Sequence, residues 1–363
     1  MATLHLVYPH RRRISAPHAI GRKLGGLLAE RFDVVHHDLL ASARMRPGPD
    51  DVLLGHPVAS PLSCFVRNAK RGGWRRVVMM YPFNGHARDM AFLGRILPHC
   101  DRFLAITGNY WFERARTDFP TWFPWMSHLD LAVDRLDFPR VKETFNPPGK
   151  RRFLYVGNLA RAKNVGYLSQ IASAARAIEF AWFGGGGSIP GVRSLGYADF
   201  SNPAERERIA EYDFLITVGA NDANPTTILE AMAWGLLPVC TPQSGYTSVP
   251  GITNVPLDDV PATLDVLTRL QSATNQELLE LQTRNFELLD ERFSWHRVRD
   301  DVVTAIDAPR TERLRVSLAE RTLRAVDECR SDGFWLRPSQ LRQVARQTAG
   351  SGLRKLGLLP EVT

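Results

Sequence analysis

The stretch N-D-A-N-P-T-T-I-L-E-A-M-A-W-G, residues 221–235, decides how this chain is read. It follows F-L-I-T-V at 214–218, a short apolar run bounded by turn signals, the pattern of a buried strand. Asn224 followed by Pro225 reads as a helix start, with Asn at the N-cap and Pro at the first helical position. Gly235 reads as the stop, because glycine tolerates the left-handed conformation that closes a helix. The start of such a helix offers unpaired amides and a positive dipole end, with the Thr226 and Thr227 hydroxyls beside it, and suits an anion such as phosphate. Asp222 stands just outside that anion site, and Glu230 lies one and a half turns into the helix. A carboxylate at 230 can accept two hydrogen bonds from a vicinal diol such as a ribose. Taken alone, a turn aspartate and a paired helix carboxylate explain the same two residues equally well.

The strand–loop–helix unit recurs on both sides of this stretch. Strands are expected at 4–8, 34–37, 52–55, 77–81 and 103–106, separated by helical segments such as 17–31, and again at 153–156, 180–183, 214–218 and 237–240. That βαβ rhythm implies parallel sheets covered by helices. Residues 139–151, P-R-V-K-E-T-F-N-P-P-G-K-R, are polar, hold three prolines and read as an interdomain linker. The expected organisation is an α/β domain at 1–138, the linker, a second α/β domain at 152–305 and a basic helical extension at 306–363. A chain of 363 residues is long enough for two cores. Ligands of open parallel sheets bind beyond the carboxyl ends of the strands, so two facing domains form a cleft.

Two further loops share this pattern. In F-L-Y-V-G-N-L-A-R-A-K-N, residues 153–164, a strand ends at Gly157, which permits close backbone approach, and the turn carries Arg161 and Lys163. Lys163 is placed to reach the same phosphate site from the opposite wall; a solvated turn is the plainer alternative. W-F-G-G-G-G-S at 182–188 suits a ligand-hugging loop, though a glycine run alone is weak evidence.

Composition narrows the classes. The net charge of +8 calls for an acidic partner, and nucleic acid, anionic lipid headgroups and phosphorylated small molecules all qualify. Residues 310–363 carry eleven Lys/Arg against six Asp/Glu, so +5 of the total sits in the tail. Leu314, Leu318, Val326 and Cys329 fall along one helical face there, either packed on the body or turned to a membrane surface or partner. Cys64, Cys100, Cys240 and Cys329 are far apart and form no metal-ligand spacing, which points to a reducing cytoplasm. The order of charge and apolar residues at the N-terminus is the reverse of a signal peptide, and no run of 18 apolar residues occurs. No nucleic-acid module is recognised.

Together these residues resemble the family-4 retaining glycosyltransferases, which have the GT-B fold. The family's E-x(7)-E block followed by A-M-A-x-G-x-P-V corresponds to Asp222, seven residues, then Glu230-Ala-Met-Ala-Trp-Gly-Leu-Leu-Pro-Val, with one residue inserted before the proline. V-G-N-L-A-R-A-K-N stands where the family has V-G-R-L…K-G; D-R-F-L-A-I-T-G-N-Y-W, H-L-D-L-A-V-D-R-L-D-F-P and F-S-W-H-R-V match further family segments in order. The resemblance covers residues 1–305 and is strongest over 150–245. It implies that Glu230 holds the donor ribose, that Asp222 touches the transferred sugar, and that Lys163, Thr226 and Thr227 hold the diphosphate. It places Gly157, Asn158 and Arg161 in the donor loop and Gly196 near the base. On the acceptor side it assigns Ser15 and Ala16 to the family's Gly-Gly loop and His86 to its histidine, with His56 as rival. Three departures stand out: Asp for Glu at 222, Asn for Arg at 158, and Ser-Ala for Gly-Gly.

The activity so implied is transfer of a sugar, with retention, from a nucleotide diphosphate sugar to an acceptor hydroxyl on a glycan or lipid-linked glycan. No D-x-D occurs, so neither metal nor other cofactor is expected. Y-W-F at 110–112 and W-F-P-W-M at 122–126 are either core or a surface for lipid or sugar. With the basic tail, they extend the expectation to a cytoplasmic protein in peripheral contact with an anionic membrane. A nucleotide-sugar epimerase and a non-catalytic GT-B-like scaffold are the alternatives; a nucleic-acid partner is not expected.

Overall fold

The computed structural model describes residues 2–9, 16–40, 45–60, 62–85, 92–309 and 317. Two six-stranded sheets, parallel throughout, organise them. The first contains β1 (Thr3–Val7), β2 (Asp33–His37), β3 (Val52–Gly55), β4 (Arg76–Pro82), β5 (Arg102–Ile106) and β6 (Met126–Leu129), in the order β2-β1-β3-β4-β5-β6. The second contains β7 (Arg152–Val156), β8 (Glu179–Phe183), β9 (Arg193–Ser194), β10 (Phe214–Thr217), β11 (Leu237–Cys240) and β12 (Thr253–Asn254), in the order β12-β11-β10-β7-β8-β9. The strand order reverses between β1 and β3 in one sheet and between β7 and β10 in the other. A crevice opens at such a point because the flanking connections leave on opposite faces.

Strands V-L-L-G, F-L-I-T and L-P-V-C are buried at every position. A sheet covered on both faces needs continuous apolar strands, and for that reason these were readable as runs. Three edge elements lack that signal: β6 is M-S-H-L, while β9 and β12 are two residues each, polar and not fully buried.

The linker is extended but firmly held. Val141 and Lys142 both donate their amides to the Trp234 carbonyl, at 3.0 and 2.9 Å. The Lys142 ammonium and Asp213 form a buried pair at 3.0 Å. Asp213 also accepts from the Asn146 and Arg152 amides, at 2.8 and 2.9 Å, so its lone pairs are used rather than stranded. Beyond the second sheet, Ser294 caps the helix Trp295–Asp307, which crosses back and packs on the helix Ala16–Leu28 and on β4, β5 and β6. Arg299 pairs with Glu30 at 2.8 Å, and Arg76 donates to the Ile306 carbonyl at 3.0 Å. The helix that starts at Trp295 and runs across the expected boundary at 305 to Asp307 therefore rests on the first sheet and its helix Ala16–Leu28.

Cys64, Cys100 and Cys240 are buried. Residues 310–316 and 318–363 of the basic tail, with Leu314, Leu318, Val326 and Cys329, lie outside the described residues. Among the described residues no helix is long and apolar enough to cross a membrane.

Candidate functional site

At the second reversal point, β7 runs into Gly157, whose φ is 157°. A Cβ there would come within 2.8 Å of the Tyr155 hydroxyl. The Gly157 carbonyl accepts from the Trp182 indole at 2.8 Å, and its amide donates to the Phe183 carbonyl at 3.1 Å. The Asn158 side chain accepts from the Ala160 amide at 3.0 Å, while its carbonyl accepts from the Tyr155 hydroxyl at 2.7 Å. Asn158 thus shapes the turn, a role an arginine cannot play because it has no side-chain acceptor. The turn leads into a short 3-10 helix, Arg161–Lys163. Arg161 is exposed; Lys163 turns inward and its ammonium pairs with the Asp222 carboxylate. The Ala220 amide donates to the Ala162 carbonyl at 2.9 Å, which ties the β7 and β10 loops across the crevice.

The helix of the opening stretch spans Thr226–Trp234 and closes on Gly235 at φ 92°, as its sequence requires. Its start differs from expectation. Pro225 is the N-cap and no side chain caps the helix. Asn224 is instead buried, with its carbonyl oxygen accepting from the Tyr246 hydroxyl at 2.9 Å. The phenol outcompetes the helix amides for that acceptor, and the first-turn amides are left without a side-chain partner. Thr226 hydrogen-bonds Glu230 one turn further on, and Thr227 is half-buried beside it. Burial pushes the Glu230 carboxyl pKa up, more than the Thr226 bond and the charge of Lys163 pull it down. One cation, Lys163, therefore serves two carboxylates, Asp222 by direct contact and Glu230 through its field.

Gly196, at φ 79°, accepts from the Gly184 amide at 3.0 Å. Gly184 abuts the Trp182 indole and the Gly157 carbonyl so closely that no side chain fits. The Gly157–Lys163 loop, the glycine run and the Gly196 loop thus converge at one end of the second sheet.

The first reversal point has a different character. His56 follows β3, stacks on Tyr81 with ring centroids 4.8 Å apart, and lies 5.7 Å from the Tyr8 ring. Burial depresses its pKa to about 4, against a hydrogen bond to the Met80 backbone, so the ring is neutral. Its Nδ1 and the Tyr8 hydroxyl are both buried without a hydrogen-bond partner among the described residues. Burial also raises the Tyr8 pKa and keeps the phenol protonated. Ala16 opens the first helix; Ser15 and His86 lie outside the described residues.

The aromatic clusters join the domains and fill the first one. Trp122 is fully buried, and Phe112 stacks on His128 with centroids 4.9 Å apart. The Trp111 indole donates to the Asp222 carbonyl at 2.8 Å. The sequence offers Trp111 only as core or as part of a surface for lipid or sugar and places Tyr8 as the last residue of the first strand, whereas Tyr8 follows β1 and Trp111 reaches the second domain. Among the described residues no group of three or more His, Cys, Asp or Glu is placed to hold a metal ion.

The chain is similar to sucrose-phosphate synthase from Thermosynechococcus elongatus, with a TM-score of 0.62 and 12% identity over 84% of this chain and 98% of that one. The chain has the GT-B fold. Another GT-B relative in shape is an alpha-glucosyltransferase solved with UDP and DNA, at TM-score 0.57 and 10% identity over 84% of this chain and 99% of that one. S. aureus TarM gives 0.56 and 12% over 72% of this chain, which spans about half of TarM, 55% of its length. No protein-family model matches the sequence, and no curated protein matches it.

Proposed function

We propose that the protein is a retaining glycosyltransferase that uses a nucleotide diphosphate sugar without a metal. The observation that carries this reading is Lys163 set between Asp222 and Glu230, beside a helix start that no side chain caps, at the reversal point of the second GT-B sheet. Such a site matches the parts of the donor in order. Glu230 accepts from the ribose diol. Lys163, Arg161 and the amides at Thr226 and Thr227 face the diphosphate. The glycine-lined loop around Gly184 and Gly196 leaves room for the base. Asp222 faces the sugar.

In the proposed reaction the bond from the anomeric carbon to the diphosphate oxygen breaks, and a bond to the acceptor oxygen forms on the same face. The acceptor proton passes to the leaving phosphate oxygen. Negative charge grows on the diphosphate, where Lys163, Arg161 and the helix dipole stabilise it. Positive charge grows on the sugar, where Asp222 stabilises it. The acceptor enters from the first domain, past His56, with Ser15, Ala16 and His86 on the same side by resemblance. We place the acceptor among glycans and lipid-linked glycans at the cytoplasmic face of an anionic membrane, which the basic tail would approach. TarM and the alpha-glucosyltransferase have both been solved with UDP, which puts uridine donors first in any screen.

The test is product analysis with a chelator present, over a set of nucleotide sugars. Release of nucleoside diphosphate together with a glycoside of unchanged anomeric configuration supports the reading. An isomerised free nucleotide sugar would instead reveal an epimerase.

A further inference from the structure

We infer that Trp111 is a positioning residue for Asp222, so that the first domain sets the geometry of the acid in the donor site; this rests on the role of Asp222 proposed above. The β10 loop that carries Asp222 is gripped from across the cleft. Three consecutive backbone carbonyls, those of Asn221, Asp222 and Ala223, each accept from the first domain. The donors are the Asn84 amide group at 3.4 Å, the Trp111 indole at 2.8 Å and the Gly108 backbone amide at 2.8 Å. Gly108 lies against the Gly245 carbonyl with no room for a Cβ, and the Tyr110 amide donates to that same carbonyl at 3.1 Å. Asn109 and Thr247 exchange a pair of hydrogen bonds beside them.

Within its own domain the loop is tied at its ends, by the Thr241 hydroxyl on the Gly219 carbonyl at 2.6 Å, the Ala220 amide on the Ala162 carbonyl at 2.9 Å and the Tyr246 hydroxyl on Asn224, and Asp222 itself has two ties there. The Asp222 amide donates to the Gln243 carbonyl at 3.0 Å, and the carboxylate meets Lys163. Lys163 is also the cation required by the diphosphate, so it cannot hold Asp222 alone once donor is bound. The peptide carbonyl of Asp222 is one covalent step from its Cα, and fixing it fixes the direction in which the short side chain leaves the backbone. Aspartate has one methylene fewer than glutamate and less freedom to correct a misplaced backbone. Trp111, half-buried and edge-on to Tyr110 with centroids 4.9 Å apart, is itself held in place by packing.

Trp111→Phe keeps an aromatic ring in the seam and removes the indole N–H. Hydrogen exchange is read at the Ala220 and Asp222 amides, and kinetics are read on the same protein. Loss of one such bond is expected to speed exchange across 219–224 by about three- to tenfold, with the rest of the chain unchanged. Turnover is expected to fall by about tenfold or more while nucleotide affinity stays at the wild-type value. Wild-type exchange across 219–224 overturns the inference whether or not the protein transfers sugar. Wild-type turnover in an active enzyme overturns it as well, as does a loss of nucleotide affinity that accounts for the fall in rate. A wild-type protein that turns over no nucleotide sugar counts against the proposed function instead, and the exchange result then decides whether Trp111 holds the loop.

Discussion

The two strand-order reversal points share a topology and differ in chemistry. The second, between β7 and β10, gathers Lys163, Asp222, Glu230 and an uncapped helix start. The first, between β1 and β3, presents neutral His56 and Tyr8, with Tyr81 stacked on the His56 ring. Among the described residues, charge at the one point and uncharged His56 and Tyr8 at the other fit the proposed division of labour, with a diphosphate held on one side and a hydroxyl met on the other. It also means that the two points respond to pH with opposite sign. Glu230 has a raised pKa, so its contribution to stability is present below the ordinary value of 4.5 and is lost as pH rises through the folded value. His56 and His37 have pKa values lowered from 6.5 to about 4, so their contribution is present above 6.5 and is lost as pH falls toward 4.

Substitutions can break this contrast. The largest effect is expected from Asp222→Asn, which should lower turnover by about 100-fold, the scale of removing one group aimed at developing charge, and leave nucleotide affinity nearly intact. Equal rates for the variant and wild type would remove Asp222 from the chemistry. Glu230→Gln should weaken nucleotide binding by about 30-fold, the worth of roughly one charge-assisted hydrogen bond. The same change should raise the melting temperature at neutral pH, because it deletes a carboxylate whose ionised form burial disfavours; a variant that melts lower would contradict that. Tyr8→Phe removes a buried hydroxyl without a partner among the described residues and should stabilise the protein by about 1 kcal/mol, read by denaturant unfolding. Destabilisation would show that the phenol has a structural partner after all. The smallest effect is His56→Gln, which should flatten part of the stability loss between pH 6.5 and 4, with His37 supplying the remainder.

The architecture was legible because buried parallel strands are continuous apolar runs. The strands that escaped reading, β6, β9 and β12, have too few apolar residues to show, and pairing at a sheet edge, not propensity, makes them strands. Within the site, local signals worked for the stop at Gly235 and the close approach at Gly157, where one residue's backbone decides the outcome. The N-cap reading failed at Asn224 because a residue distant in sequence, Tyr246, took its oxygen. The grip of Trp111 on Asp222 joins residues 111 positions apart, and nothing in the spacing of either segment announces it.

Everything proposed for the charged reversal point depends on its binding a nucleotide diphosphate sugar. Calorimetric titration of the wild type and Glu230→Gln with UDP, GDP, ADP, dTDP and their common sugar conjugates, without added metal, tests it most directly. At least one member is expected to bind, about 30-fold more weakly to the substituted protein. Folded wild-type protein that binds none of them, or a ligand held equally well by both proteins, would contradict it.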